Sequence, residues 1–103
     1  MSDNAYTIYN TQDYDEWLRE QPAKTQLQVL GRISRIREDG HFGVHKNVDG
    51  EVWELKWDNG RRVYYAYIPE KKILLLLGGN KNGQDKDIRR AKKILIENAT
   101  FEN

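Results

Sequence analysis

The sequence predicts an α+β fold in which two N-terminal helices pack on an antiparallel sheet of three to four strands, with a further helix at the C-terminal end. Apolar residues recur at helical spacing between residues 11 and 39, the period changes to two beyond Gly43, and it returns to helical from Asp85. The helices are expected to cover one sheet face and leave the other open.

Residues 6–9 alternate weakly and form a short first strand. Thr11 is the expected N-cap of a helix over residues 12–20, because its hydroxyl can accept a free amide and Asp13, Asp15 and Glu16 suit the positive helix end. Tyr14, Trp17 and Leu18 make one apolar stripe on it. Pro22 belongs in the first turn of a second helix, where its missing N–H costs nothing. That helix carries Leu27, Val29, Leu30, Ile33 and Ile36 inward until Asp39 and Gly40 stop it.

Residues 51–58 read as a strand with Trp53, Leu55 and Trp57 on one face and Val52, Glu54, Lys56 and Asp58 on the other. Asp58-Asn59-Gly60 is a hairpin turn, since Asn and Gly tolerate the positive φ it requires. A second strand over residues 61–68 alternates Arg62, Tyr64 and Ala66 with Val63, Tyr65 and Tyr67. Residues 72–77 are apolar on both faces, as in a central strand or one covered on both sides, and Gly78-Gly79-Asn80 ends it. A helix over residues 85–97 turns Ile88, Ala91, Ile94 and Leu95 inward, and residues 98–103 are a frayed tail.

With 103 residues, the chain is expected to form a single domain over residues 1–103. Hydrophobic residues at 38% and charged residues at 32% exclude disorder as a description of the whole chain. Zero cysteines exclude disulfides, thiolate metal sites and cysteine nucleophiles, and His41 and His45 alone make no metal site, so no metal or cofactor is expected. The longest apolar run, residues 73–77, is far below the ~18 residues of a membrane helix. Residues 1–10 lack a basic start and an apolar signal core, and the expected location is the cytoplasm.

The net charge of +1 hides an asymmetry. Residues 1–20 carry five acids and one base, whereas residues 71–93 carry eight bases, Lys81 and Lys86 among them, and two acids. Such a local excess reads either as a solvated helix face or as a surface for phosphate backbones. Pleat alternation also places Glu54, Lys56, Arg62 and Tyr64 together on one face of adjacent strands. A carboxylate, an ammonium, a guanidinium and a ring suit a phosphodiester, and the plainer alternative is cross-strand charge pairing on an exposed surface. His45, in a glycine-flanked loop, is either an exposed polar residue or an acid–base group. Residues 78–83 lack the GxxxxGK[ST] spacing of a nucleotide-binding P-loop.

The strings Tyr14-Asp15-Glu16-Trp17-Leu18, Gly31-Arg32-Ile33-Ser34-Arg35-Ile36, Gly40-His41-Phe42-Gly43-Val44-His45-Lys46, Val52-Trp53-Glu54-Leu55-Lys56, Arg62-Val63-Tyr64 and the run from Leu77 to Ile88 together resemble the RelE/ParE toxin superfamily, in its HigB-like, addiction-module branch. The resemblance runs from about Tyr14 to Leu95. It implies a strongly curved antiparallel sheet and a type II toxin that cuts mRNA in the A site of the 70S ribosome, by attack of a ribose 2′-OH on the adjacent phosphorus without a metal. It implies Arg62 as phosphate clamp, Lys56 and Lys81 as catalytic cations, Glu54 as proton acceptor, and Lys46, Arg61, Tyr64, His45 and Lys86 as RNA-binding residues. Lys56 and Arg61 depart from the Arg and Tyr usual in close relatives, which keeps the charge at Lys56 and loses the guanidinium fork. The implied partners are a cognate antitoxin, in a toxin–antitoxin heterotetramer or beside a toxin homodimer, and the translated mRNA, with no membrane. Two further readings stay open, a ParE-like inhibitor of DNA gyrase and an inactive member that only binds antitoxin.

Overall fold

A computed structural model describes residues 4–101, with side chains as far as residue 98. The chain runs β1 (Thr7–Asn10), α1 (Gln12–Arg19), α2 (Ala23–Asp39), β2 (His45–Asp49), β3 (Val52–Lys56), β4 (Arg61–Ile68), β5 (Lys72–Asn80), a short 3₁₀ turn (Lys81–Gly83) and α3 (Gln84–Phe101). Thr11 caps α1 by accepting from the Tyr14 amide at 3.1 Å, and its hydroxyl also donates to the Leu76 carbonyl at 2.8 Å, so the cap fixes α1 to β5. Pro22 occupies the N-cap position of α2, one residue ahead of the expected first turn, and Gly40 ends that helix with a left-handed φ of 70°.

The sheet has five strands in the order β1-β5-β4-β3-β2, against the three to four that the sequence predicts. It is mixed: β1 takes the edge of β5 that β4 leaves free and runs parallel to it, and the remaining pairs are antiparallel. The stretch around His45 is a strand, β2, where the sequence predicts a loop. Gly60, at φ +94°, closes the β3–β4 turn with its amide donating to the Trp57 carbonyl at 3.1 Å.

The expectation of helices on one face is corrected: both faces are covered. On one, Tyr14, Val29, Ile33 and Ile36 of α1 and α2 pack with Leu55, Val63, Tyr65, Ile73 and Leu75. On the other, Ala91 and Ile94 of α3 pack with Val52, Tyr64, Ala66, Leu76 and Leu77. A bulge between Tyr64 and Tyr65 pairs Tyr64 with Leu77 and Tyr65 with Leu75, which sends the consecutive Leu76 and Leu77 to the α3 side. Leu27 and Leu30, expected inward, are 72% and 48% exposed, because α2 meets the sheet only along Val29, Ile33 and Ile36. Helix α3 continues through Phe101, into the stretch expected as a tail, and residues 102–103 lie outside the described residues, as do residues 1–3 at the other end. Among the described residues no helix is long and apolar enough to cross a membrane.

Strand β5 continues through Gly78 and Gly79, where the sequence predicts its end. A Cβ built on Gly78 would sit inside the Trp17 ring, and one on Gly79 would collide with the Asp87 carboxylate, so two short residues let α1 and α3 close on the strand from opposite sides. Gly31 instead lies exposed within α2 with no atom within 4 Å of such a Cβ. We expect Gly78→Ala to lower stability by about 1–3 kcal/mol in urea unfolding, and Gly31→Ala to raise it by about 0.5–1 kcal/mol. Equal effects of the two substitutions would contradict this packing.

Candidate functional site

Alternation along β3 and β4 places Glu54, Lys56, Arg62 and Tyr64 on one face, as the sequence predicts, with Lys56 opposite Arg62 and Glu54 opposite Tyr64. On the flanking strands Lys46 pairs with Glu54 and Gly79 with Arg62. The face is not open, however. Glu54 and Tyr64 are 0% exposed and Arg62 is 8% exposed, because α3 lies across them. The apolar stripe of α3 needs an apolar partner, and Val52, Tyr64, Ala66, Leu76 and Leu77 supply it beside the polar residues. Tyr64 therefore offers no ring to a base on an open surface, and with α3 in place Glu54 has no path to a ribose hydroxyl.

Within this enclosure Arg62 Nε lies 3.7 Å from Glu54 Oε1, while Gln84, at the first position of α3, donates through Nε2 to Glu54 Oε2 at 2.6 Å. Arg62 Nη1 donates to the Trp57 and Arg61 carbonyls at 3.3 and 2.9 Å. Glu54 Oε1, Arg62 Nε and the Tyr64 hydroxyl are buried without a hydrogen-bond partner among the described residues. Burial pushes the Tyr64 phenol upward, the Glu54 and Asp87 carboxylates push it further, and Arg62 opposes them. Asp87, against Gly79 and Gly83, is raised by burial, with Arg90 and Lys86 pulling the other way. A buried carboxylate and guanidinium are tolerable only together, since removing either leaves an unpaired charge at a cost of about 3–5 kcal/mol.

Around the buried pair, Lys46, Lys81 and Lys86 are exposed and Lys56 is half-buried, and none has an ion-pair partner among the described residues. The Lys81 side chain lies over Gly60, and its amide donates to the Gly60 carbonyl at 2.8 Å, which fixes it at the Arg62 end of the sheet. Two of the expected RNA contacts lie elsewhere. Arg61 points to the opposite face and donates to Gln28 and Thr25 of α2 at 3.0 and 2.9 Å. His45 also faces that side, stacked 4.9 Å from Phe42 and 5.6 Å from Trp53, with Nδ1 2.8 Å from the Tyr65 hydroxyl. Sequence reasoning missed Gln84, for which spacing gives no signal, and Arg32. The Arg32 guanidinium sits 4.2 Å over the Trp57 ring and donates to the Phe42 and Lys56 carbonyls, tying α2 to the end of β3.

The family model for phage-derived Gp49-like proteins (DUF891) matches residues 16–99. An uncharacterized protein of Haemophilus influenzae is 36% identical over 93 residues, spanning 87% of this chain and 93% of its own length. Among solved structures, a free Escherichia coli RelE toxin carrying two arginine-to-alanine substitutions superposes with a TM-score of 0.68 at 17% identity, over 87% of this chain and 98% of that one. The RelB–RelE toxin–antitoxin complex of Mycobacterium tuberculosis gives 0.62 at 15% identity, over 74% and 98%. The intact Escherichia coli RelBE complex gives 0.62 at 18%, over 74% and 96%. At these identities the structures share the fold.

Buried phenols make stability fall at high pH. Burial, reinforced by Asp15, pushes Tyr14 from 10.0 up to about 12. The unfolded chain thus loses this proton while the folded chain keeps it, so stability is full below pH 10 and declines toward about 12. The expected slope is about 1.4 kcal/mol per pH unit for this group. Urea unfolding across that interval should show a shallower decline for Tyr14→Phe than for the wild type. Parallel pH profiles would contradict the assignment.

Proposed function

We propose, for a chain that belongs to the phage-derived Gp49-like family and has the RelE toxin fold, the role of a toxin in a toxin–antitoxin pair that cleaves translated mRNA. The observation that carries this reading is the arrangement of cations at one end of the sheet. Arg62 is anchored by a buried carboxylate, and Lys46, Lys56 and Lys81 stand around it without ion-pair partners among the described residues. Phosphoryl transfer of this kind depends on fixed positive charge where a phosphorane develops. In the proposed reaction a ribose 2′-oxygen bonds to the adjacent phosphorus as the bond to the 5′-oxygen breaks, leaving a 2′,3′-cyclic phosphate and a 5′-hydroxyl. Once α3 is displaced from the face that it covers, Arg62 and Lys56 hold the non-bridging oxygens, and Lys81 protonates the leaving oxygen.

Glu54 takes the 2′-OH proton only in a state where the first turn of α3 has withdrawn Gln84 from Oε2. The closed arrangement keeps the carboxylate sealed, which accords with a nuclease that acts only when the ribosome presents its substrate. RelE is seen with an antitoxin in the Mycobacterium tuberculosis and Escherichia coli complexes, and the same class of partner is proposed here, neutralising the lysine rim or shifting α3.

The test must separate chemistry from folding. Arg62→Ala would strand the Glu54 charge and destabilise the protein, so Arg62→Lys, Lys56→Ala at a half-buried lysine and Lys81→Ala at an exposed one are the informative variants. Primer extension on a translated reporter should show cuts for the wild type and a loss of about 10²–10³ in cleavage for each variant, with circular dichroism unchanged. Full cleavage by folded Lys56→Ala and Lys81→Ala would overturn the site. Growth arrest with intact mRNA would favour a gyrase target.

A further inference from the structure

On the sheet face opposite the buried pair, Trp53 of β3 and Tyr67 of β4 meet at a right angle, with centroids 5.3 Å apart and planes at 86°. Together with Asn47, Gly50 and Glu51 they line a shallow open notch of about 420 Å³. Gly50, at φ +56°, makes the tight β2–β3 turn that carries Glu51 to the rim. Glu51 is exposed and has no ion-pair partner among the described residues. The Asn47 amide is spent on the Gly50 and Val52 carbonyls, at 2.9 and 3.1 Å. The Tyr67 hydroxyl lies 3.4 Å from that of Tyr65, which in turn meets His45 at 2.8 Å, so the tyrosine wall is held from behind.

Two aromatic walls meeting edge to face, with a carboxylate at the lip, give the notch π surface and one negative charge. Among the described residues no cationic side chain lines the notch, so a phosphate or a carboxylate finds no positive charge there. The same molecule already places a guanidinium over a tryptophan, Arg32 on Trp57 at 4.2 Å. From this charge complementarity we infer that the Trp53–Tyr67–Glu51 notch receives an arginine or lysine side chain of a protein partner. The surface lies on the other side of the sheet from the proposed phosphate site and does not depend on it.

The three tryptophans report from different places: Trp53 at the notch, Trp57 under Arg32, and Trp17 beside the acidic residues of α1. The experiment is an NMR titration of the ¹⁵N-labelled full chain with the blocked tripeptide Gly-Arg-Gly, with Gly-Glu-Gly and guanosine monophosphate run alongside. The Trp53 indole should shift with the arginine peptide only. The exposed substitution Glu51→Gln, which leaves the fold intact, should weaken that response about three- to fivefold. The inference is overturned if Trp53 is silent, if Trp17 moves in its place, if the glutamate peptide or the nucleotide shifts Trp53 equally, or if Glu51→Gln binds as the wild type does.

Discussion

A carboxylate and a guanidinium enclosed between a sheet and a helix set the terms for the rest of this molecule. Glu54 and Arg62 are both shut away from water, and each buried charge is tolerable only because the other lies 3.7 Å away. Gln84 donates to the other carboxylate oxygen, Oε2, from the start of α3, which the 3₁₀ turn after Asn80 brings to this end of the sheet. Gly79 is a consequence of the same closure, since any side chain there would strike Asp87. The polar cluster and the helix that covers it are one structural unit.

That unit separates two kinds of positive charge. Arg62 is held from within, where pairing fixes its orientation, while Lys46, Lys56 and Lys81 stand at the rim without ion-pair partners among the described residues. A buried anchored cation with lysines around it is suited to a ligand with a precise charged centre and a long charged backbone. On the other face the aromatic residues do different work. His45, which the family resemblance implies as an RNA-binding residue, is one ring in a stack with Phe42 and Trp53, with Tyr65 stacked on Phe42.

Much of this was legible in the sequence, and the misses have physical causes. The Thr11 cap, the Gly40 stop, the Asp58-Asn59-Gly60 turn and the alternation of β3 and β4 are local, so spacing reveals them. The facing of Glu54, Lys56, Arg62 and Tyr64 follows from the pleat alone. What covers that face is a long-range matter. Its signal was present in β5, apolar on both sides, and in the stripe of Ile88, Ala91, Ile94 and Leu95 that has to pack on something. Strand β2 is short and polar, with a bulge between Asn47 and Asp49, and so carries no clean period. The pairing of β1 with the distant β5, and its parallel direction, are long-range features that no local pattern encodes. Gln84 and Arg32 act through single long-range contacts that spacing cannot anticipate.

The dependence of the fold on the enclosed pair is most directly tested by a double-mutant cycle in urea unfolding, with Glu54→Leu, Arg62→Met and the two combined. The account predicts that each single substitution costs about 3–5 kcal/mol, and that the double variant is more stable than their sum by about 2–3 kcal/mol, because it removes both charges together. Costs that add to within about 0.5 kcal/mol would show that the two residues do not need each other, and would contradict the account at its centre.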